Sequence, residues 1–236
     1  MKRPYVFINV AMTADGKIDT FERRGAAISS REDKERVDRL RAEAGAVMVG
    51  GRTLLDEAPA LTVKSDELRA GRVSRGLPPN PIKVGIVGEA KLMPDGAFLK
   101  AGPARTVIFT TSRTPESELA ALRSAGVEVF ALGESAVDLA GALEKLHQLG
   151  VERLMVEGGA TLNAEMLRLG LVDEVTMYVA PMVFGGASAP TLADGPGFTR
   201  DEAIPLELVD VERCEGGGVL LRYKPAGRQN GQMPAR

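Results

Sequence analysis

Residues 152 to 166 read Glu-Arg-Leu-Met-Val-Glu-Gly-Gly-Ala-Thr-Leu-Asn-Ala-Glu-Met, and their order implies chemistry more directly than any other stretch. An apolar run ends in Glu157, two glycines follow, and a helical pattern starts at once. Paired glycines at a strand-to-helix junction let the backbone approach a ligand with no Cβ atom between them. The opening turn of the helix then offers unpaired N–H groups and the positive end of a dipole, which suits a phosphate. A carboxylate beside such a site would repel the anion, so Glu157 is expected to face a neighbouring group that is uncharged or cationic. The pattern implies a pyrophosphate-bearing cofactor next to a polar substrate. The plainer alternative is a tight βα turn with Glu157 in solvent.

The residues that could do chemistry unaided are scarce. One cysteine, Cys214, excludes an intramolecular disulfide, and with a single histidine, His147, it leaves too few ligands for the usual zinc site. His147 sits at a helix end before a glycine stop and Cys214 in a late strand, so neither is assigned a catalytic role. The hard chemistry then falls to a bound organic cofactor, with no metal expected. A formal charge of −2 lacks the basic excess of a nucleic-acid surface. No apolar stretch approaches the roughly 20 residues that span a bilayer. The chain opens Met-Lys-Arg-Pro and turns directly into a strand pattern, without a signal-peptide region. A cytoplasmic protein without nucleic-acid or membrane partners is expected.

These residues must be held by a core, and 44% hydrophobic residues over 236 positions suffice to build one. Tyr5 to Met12 and Ala46 to Val49 are near-continuous apolar runs, the pattern of strands buried on both faces. Further strands are expected at Ile82–Val87, Thr106–Thr110 and Val127–Phe130. Helices are expected from the run Ser29-Ser30-Arg31-Glu32-Asp33, which supplies a capping residue and early acids, to Gly45, and at Pro115–Ser124, Val137–Leu149 and Thr161–Leu169. Residues 58 to 80, rich in Pro, Gly and Arg, are expected as a long surface loop. After Gly170 the period changes to alternation at Glu174–Ala180, Leu206–Glu212 and Val219–Tyr223, which is strand and hairpin chemistry. The fold class is α/β, a mostly parallel sheet flanked by helices and finished by antiparallel strands. One domain is expected over 1–224, with a flexible tail at 225–236.

In such sheets ligands bind beyond the carboxyl ends of parallel strands. The junctions Thr13–Gly16, Gly50–Thr53 and Glu157–Thr161 meet that description, and a further pair, Gly185 and Gly186, could close over the same ligand. An apolar antiparallel strand near Val175–Val179 suggests a homodimer, because an exposed apolar edge needs covering.

Four separated motifs carry a resemblance over Tyr5 to Tyr223: Ala-Met-Thr-Ala-Asp-Gly-Lys-Ile from Ala11; Leu-Arg-Ala from Leu40 with Gly-Gly-Arg-Thr-Leu-Leu-Asp-Glu-Ala-Pro-Ala-Leu-Thr-Val-Lys from Gly50; Val-Glu-Gly-Gly-Ala-Thr-Leu from Val156; and Leu-Val-Asp-Glu from Leu171 with later Ala-Pro and Phe-Gly-Gly. The chain resembles the reductases of riboflavin biosynthesis, a family with a dihydrofolate-reductase-like fold. The resemblance implies hydride transfer from NADPH to a ribosylamino-pyrimidine 5′-phosphate, giving the ribityl form. It implies cofactor contacts at Ala11, Thr53, Glu57, Gly88, Gly158, Gly159, Ala160, Thr161, Leu162, Asn163 and Ala164. It implies substrate contacts at Gly25, Arg41, Leu61, Lys64 and Glu157, with Arg41 and Lys64 as cations for the phosphate. Glu157 would position sugar hydroxyls or relay a proton. Lys64 replaces the usual Arg and loses its bidentate fork, Ala27 stands where many members carry Trp, and Thr13 where Ser is common. Other readings are a dihydrofolate-type pteridine reductase on the same fold and a non-catalytic nucleotide-binding protein. For a 2′-phosphate on the cofactor, the candidates are the amides around Gly88 and the run Thr111-Ser112-Arg113.

Overall fold

A computed structural model describes residues 2–90 and 96–226. Nine strands form one sheet: β1 Tyr5–Thr13, β2 Ala46–Gly50, β3 Ile82–Ile86, β4 Thr106–Thr110, β5 Glu128–Ala131, β6 Arg153–Val156, β7 Glu174–Ala180, β8 Leu206–Arg213 and β9 Val219–Pro225. Their spatial order is β5-β4-β3-β2-β6-β1-β7-β9-β8. Pairing is parallel from β5 to β7 and antiparallel at β7–β9 and β8–β9. The mixed, mostly parallel sheet expected from the sequence is therefore observed, with the dihydrofolate-reductase-like arrangement.

The apolar runs become central strands because both faces are covered. Along β1, Val6, Ile8 and Val10 enter one core cluster with the helices α5 (Leu139–Gln148) and α6 (Ala160–Arg168). Phe7 points into the opposite cluster with Val37 and Leu40 of α1 (Arg31–Glu43) and with Leu119 and Leu122 of α4 (Glu116–Ser124). The period of two then carries Asn9 and Ala11 to the α1 side, beyond the end of that cluster. α1 starts where expected, with the Ser30 side chain accepting from the Asp33 N–H at 3.1 Å.

Two expectations are corrected. The stretch 58 to 80 is not all loop, because Asp66–Ser74 forms α2, capped by Ser65. Its inward-facing residue is Arg72, whose guanidinium donates to the carbonyls of Ala42, Ala44 and Pro78, so a polar hook, not an apolar stripe, docks the helix. Residues 175–179 are not an edge either: β7 lies between β1 and β9, and the exposed edge is β8. At the junction Gly50–Thr53, β2 ends on Gly50 and the chain passes through Gly51 and Arg52 into a π turn at Thr53–Glu57, ending at Ala58 with φ +44°. A short helix, α3 (Ala97–Lys100), had no sequence signal; the fully buried Lys83 beneath it donates to the carbonyls of Phe98 and Ala101. Of the expected tail, Pro225 closes β9, and 227–236 lie outside the described residues.

Candidate active site

The strands β2, β6 and β1 are neighbours, so the junctions at their carboxyl ends converge. Gly50 N–H donates to Gly158 O at 2.8 Å, which stitches two of these junctions together. A Cβ at Gly50 would stand 3.2 Å from the Leu162 Cβ, so any larger residue would have to push α6 outward by a few tenths of an ångström. Gly158 holds φ +109°, a conformation open to glycine.

Around these junctions lie two connected chambers. The larger, about 510 Å³, is walled by Gly50, Gly51, Gly88, Gly159, Ala160 and Thr161, with Ser135–Val137 at its far end. The smaller, about 340 Å³, is walled by Asn9, Ala11, Lys34, Arg41, Lys64, Glu157 and Gly158 among others. Ile18, Ala26, Thr53, Glu57 and Gly159 line both, so they form the passage between the two. Gly159 precedes α6 at the N-cap position and brings no side-chain cap, so the first amides of the helix are free to serve a ligand.

In the smaller chamber Glu157 does not stand free. Arg41 grips it with Nε to Oε1 at 2.6 Å and Nη2 to Oε2 at 2.7 Å, and donates from Nη1 to Thr62 O at 3.2 Å. Both side chains are 14% exposed. Burial works against the Arg41 charge, but the Glu157 carboxylate outweighs it and the guanidinium is more basic than usual. The fork that the resemblance offers to a phosphate is thus already engaged. Lys64 is held differently: buried Asp38 accepts from the Lys64 and Ser65 amides at 2.6 and 2.8 Å and fixes the backbone beneath the side chain. Lys34, absent from the sequence-based expectations, lines the same chamber. Its signal was the spacing of Lys34, Val37, Asp38 and Arg41, which share one helix face. Among the described residues, no hydrogen bond or ion pair engages the Lys34 or Lys64 ammonium.

At the passage, the Glu57 carboxyl is pushed up by burial and then by the charges of Asp19 and Asp56. Buried Asp19 accepts from the amides of Thr20, Gly25 and Ala26 at 2.7 to 2.9 Å and braces the segment 19–26 across both chambers. At the far end of the larger chamber, Arg113 Nη2 donates to Ser135 O at 2.9 Å and lies 3.2 Å from where a Gly88 Cβ would stand.

The structure thus brings Gly25, Thr53, Glu57, Gly88, Gly159, Ala160, Thr161 and Leu162 to the larger chamber, and Ala11, Arg41, Lys64, Glu157 and Gly158 to the smaller. Leu61, Asn163, Ala164, Gly185 and Gly186 line neither. Leu61 is buried in the core, and Asn163 is buried with Nδ2 on Leu192 O. Gly185 donates to Asp15 at 2.8 Å and so covers the turn after β1 instead of the cleft.

A sheet of this order, with a glycine-walled chamber at its carboxyl ends opening on a charged one, defines the dihydrofolate-reductase-like class. Within it, the chain belongs to the RibD C-terminal domain family, whose model matches residues 4–220. It is 44% identical over 222 residues to the 2,5-diamino-6-ribosylamino-4(3H)-pyrimidinone 5′-phosphate reductase of Archaeoglobus fulgidus, covering 94% of this chain and 99% of that protein. The protein of the same name from Methanothermobacter thermautotrophicus is 45% identical over 207 residues, 87% of this chain and 91% of that one. The solved structure of Acinetobacter baumannii RibD in its form 2 matches with a TM-score of 0.77 at 25% identity, over 95% of this chain and 58% of that chain.

Proposed function

We propose that this protein is an NADPH-dependent oxidoreductase of riboflavin biosynthesis that reduces a ribosylamino-pyrimidine 5′-phosphate to its ribitylamino form. The observation that carries the reading is the joining of a glycine-walled chamber to a cation-bearing one at Thr53, Glu57 and Gly159. The residues fit a dinucleotide: α6 presents uncapped amides, and a Cβ on Gly159 would come within 3.1 Å of the Thr53 hydroxyl. Gly158 to Leu162 would hold the pyrophosphate, and Gly88 with Arg113 would favour a 2′-phosphate over a bare ribose.

When bound, the nicotinamide supplies a hydride to C1′ of the opened sugar, and the sugar nitrogen takes a proton. The protein's part is orientation and charge. Arg41 holds Glu157 in one rotamer, with its charge available to positive charge developing at C1′ and N, or to the sugar hydroxyls. Lys34 and Lys64 face the same chamber and suit the 5′-phosphate.

The work belongs to one domain over 1–224, set in the cytoplasm. A homodimer is proposed through β8, whose Leu206, Leu208, Val209 and Val211 are exposed at the sheet edge. No helix among the described residues is long and apolar enough to cross a membrane. The test is oxidation of NADPH, followed by its near-UV absorbance, with the ribosylamino-pyrimidine phosphate and dihydrofolate supplied in turn. Turnover of dihydrofolate alone overturns the reading, and so does NADPH binding with no turnover of either.

A further inference from the structure

The larger chamber has to receive an anion, yet its wall carries more acids than bases. Asp19, Asp56, Glu57 and Glu165 line it, against the cations Arg23 and Arg52. The amides at the start of α6 supply donors but no full charge. A pyrophosphate seated there therefore gains from a cation brought by another part of the chain.

Arg23 is placed to be that cation. Arg23 N–H donates to Thr20 O at 3.1 Å inside the loop that Asp19 gathers through the amides of Thr20, Gly25 and Ala26. There it holds φ +55°, a left-handed conformation uncommon outside glycine, and such strain gathers at ligand clamps. Its side chain reaches the neighbouring loop, where Nη2 donates to Ser188 O at 3.0 Å. Two residues on, Pro190 lines the larger chamber and its carbonyl accepts from Ile18 N–H at 2.9 Å. Further along, Asp194 N–H donates to Ala160 O at 3.2 Å, so the loop that anchors Arg23 is bound to the first residue of α6. A guanidinium carries more donors than one carbonyl uses. Among the described residues no ion pair engages Arg23, although the acids named above share its chamber. Arg52, by contrast, is exposed, and no hydrogen bond among the described residues holds its side chain. Arg23 alone of the pair is set in place before a ligand arrives, which lowers the cost of binding one.

We propose that Arg23 is a cofactor-binding residue, whose guanidinium, held by the Ser188 carbonyl, donates to the pyrophosphate that the first amides of α6 receive. This rests on the function proposed above and adds a full positive charge to a phosphate site otherwise made of amides and a hydroxyl.

Arg23→Gln tests it, since the variant keeps a donor for Ser188 O and loses the charge. Calorimetry on the full chain, with NADPH as titrant, should show affinity falling on the order of 10-fold, the lower end for hydrogen bonds to charged groups at a partly exposed site. Wild-type affinity should weaken as salt is raised, and that of the variant less steeply. Affinity for adenosine 2′-phosphate, which has no pyrophosphate, should hold, and so should affinity for the ribosylamino-pyrimidine phosphate. Arg23→Gly accepts the left-handed backbone without strain and serves if the Gln variant does not fold. Its melting temperature should hold while NADPH affinity falls as far; a residue that only ties two loops together would lower the melting temperature and leave NADPH binding alone. Exposed Arg24 lines neither chamber and controls for net charge, so Arg24→Gln should bind NADPH as the wild type does. Unchanged NADPH affinity in folded Arg23→Gln overturns the inference. So does an equal loss in Arg24→Gln or with adenosine 2′-phosphate, because either makes Arg23 part of a general field and not a pyrophosphate contact. If the wild type itself fails to bind NADPH, the proposed function falls first, and that result is visible before any variant is made.

Discussion

The carboxyl ends of β1, β2 and β6 and the hairpin β8–β9 belong to one sheet but are built on opposite terms. At the first, nearly every charged group has a designated partner: Glu157 has Arg41, Asp38 has two loop amides, Asp19 has three, and Asp33 has Arg36. At the second, all eight residues of β8 are exposed, and apolar and charged side chains share the same open strand. Dense partnering fixes positions, so charges that remain without partners, such as Lys34 and Lys64, stand out as chemistry. Exposed apolar groups carry no such geometry and serve association.

That contrast can be broken by mutation. The largest effect is expected from Arg41→Ala, which leaves Glu157 as an unpaired, mostly buried charge. Stability should fall by about 3 kcal/mol, read from urea unfolding, and kcat should fall with it; a loss confined to KM for the phosphate would instead make Arg41 a phosphate ligand. Gly159→Asp comes next. Its backbone, at φ −60° and ψ 169°, lies in a region open to any residue, and a Cβ would need only the Thr53 hydroxyl, 3.1 Å away, to yield, so the melting temperature is read alongside and should stay near that of the wild type. NADPH affinity should drop about 100-fold or more, because like-charge juxtaposition costs several kcal/mol; unchanged affinity would remove the pyrophosphate from α6.

Glu157→Gln should lower kcat by roughly 10²-fold while NADPH binding holds. A smaller kcat drop with a raised KM would mean that Glu157 only orients the sugar. Lys64→Ala and Lys34→Ala, both exposed, should each raise KM for the phosphorylated substrate, with losses on the order of 1.5 kcal/mol, the lower end for hydrogen bonds to charged groups. Equal turnover of a dephosphorylated substrate would make both lysines surface charges. At the hairpin, Val211→Asp should shift dimer to monomer by light scattering and leave kcat untouched. A loss of activity there would mean that the two regions are coupled through a partner chain.

Much of this was legible in the chain. β1 and β2 were readable because strands buried on both faces lose their alternation and become apolar runs. The glycine junctions were readable because tight turns and close backbone approach demand glycine. α2 was not, because its anchor is a buried arginine and hydrophobic periodicity is blind to polar hooks. The Arg41–Glu157 pair joins residues 116 positions apart, and no local pattern marks such a partnership. The resemblance named both residues but gave them separate tasks, which the geometry joins. The strand at 175–179 was read as an edge because its apolar content reflects burial, and burial does not say which neighbours provide it.

The Asp19 carboxylate has one further consequence. By collecting the amides of Thr20, Gly25 and Ala26, it gives the 19–26 segment its shape before any ligand arrives. The disorder of that segment is surrendered during folding, not at encounter. Substrate therefore meets a rigid wall, association needs no closing step from this side, and the heat-capacity change on binding reports the apolar surface covered and not a loop becoming ordered.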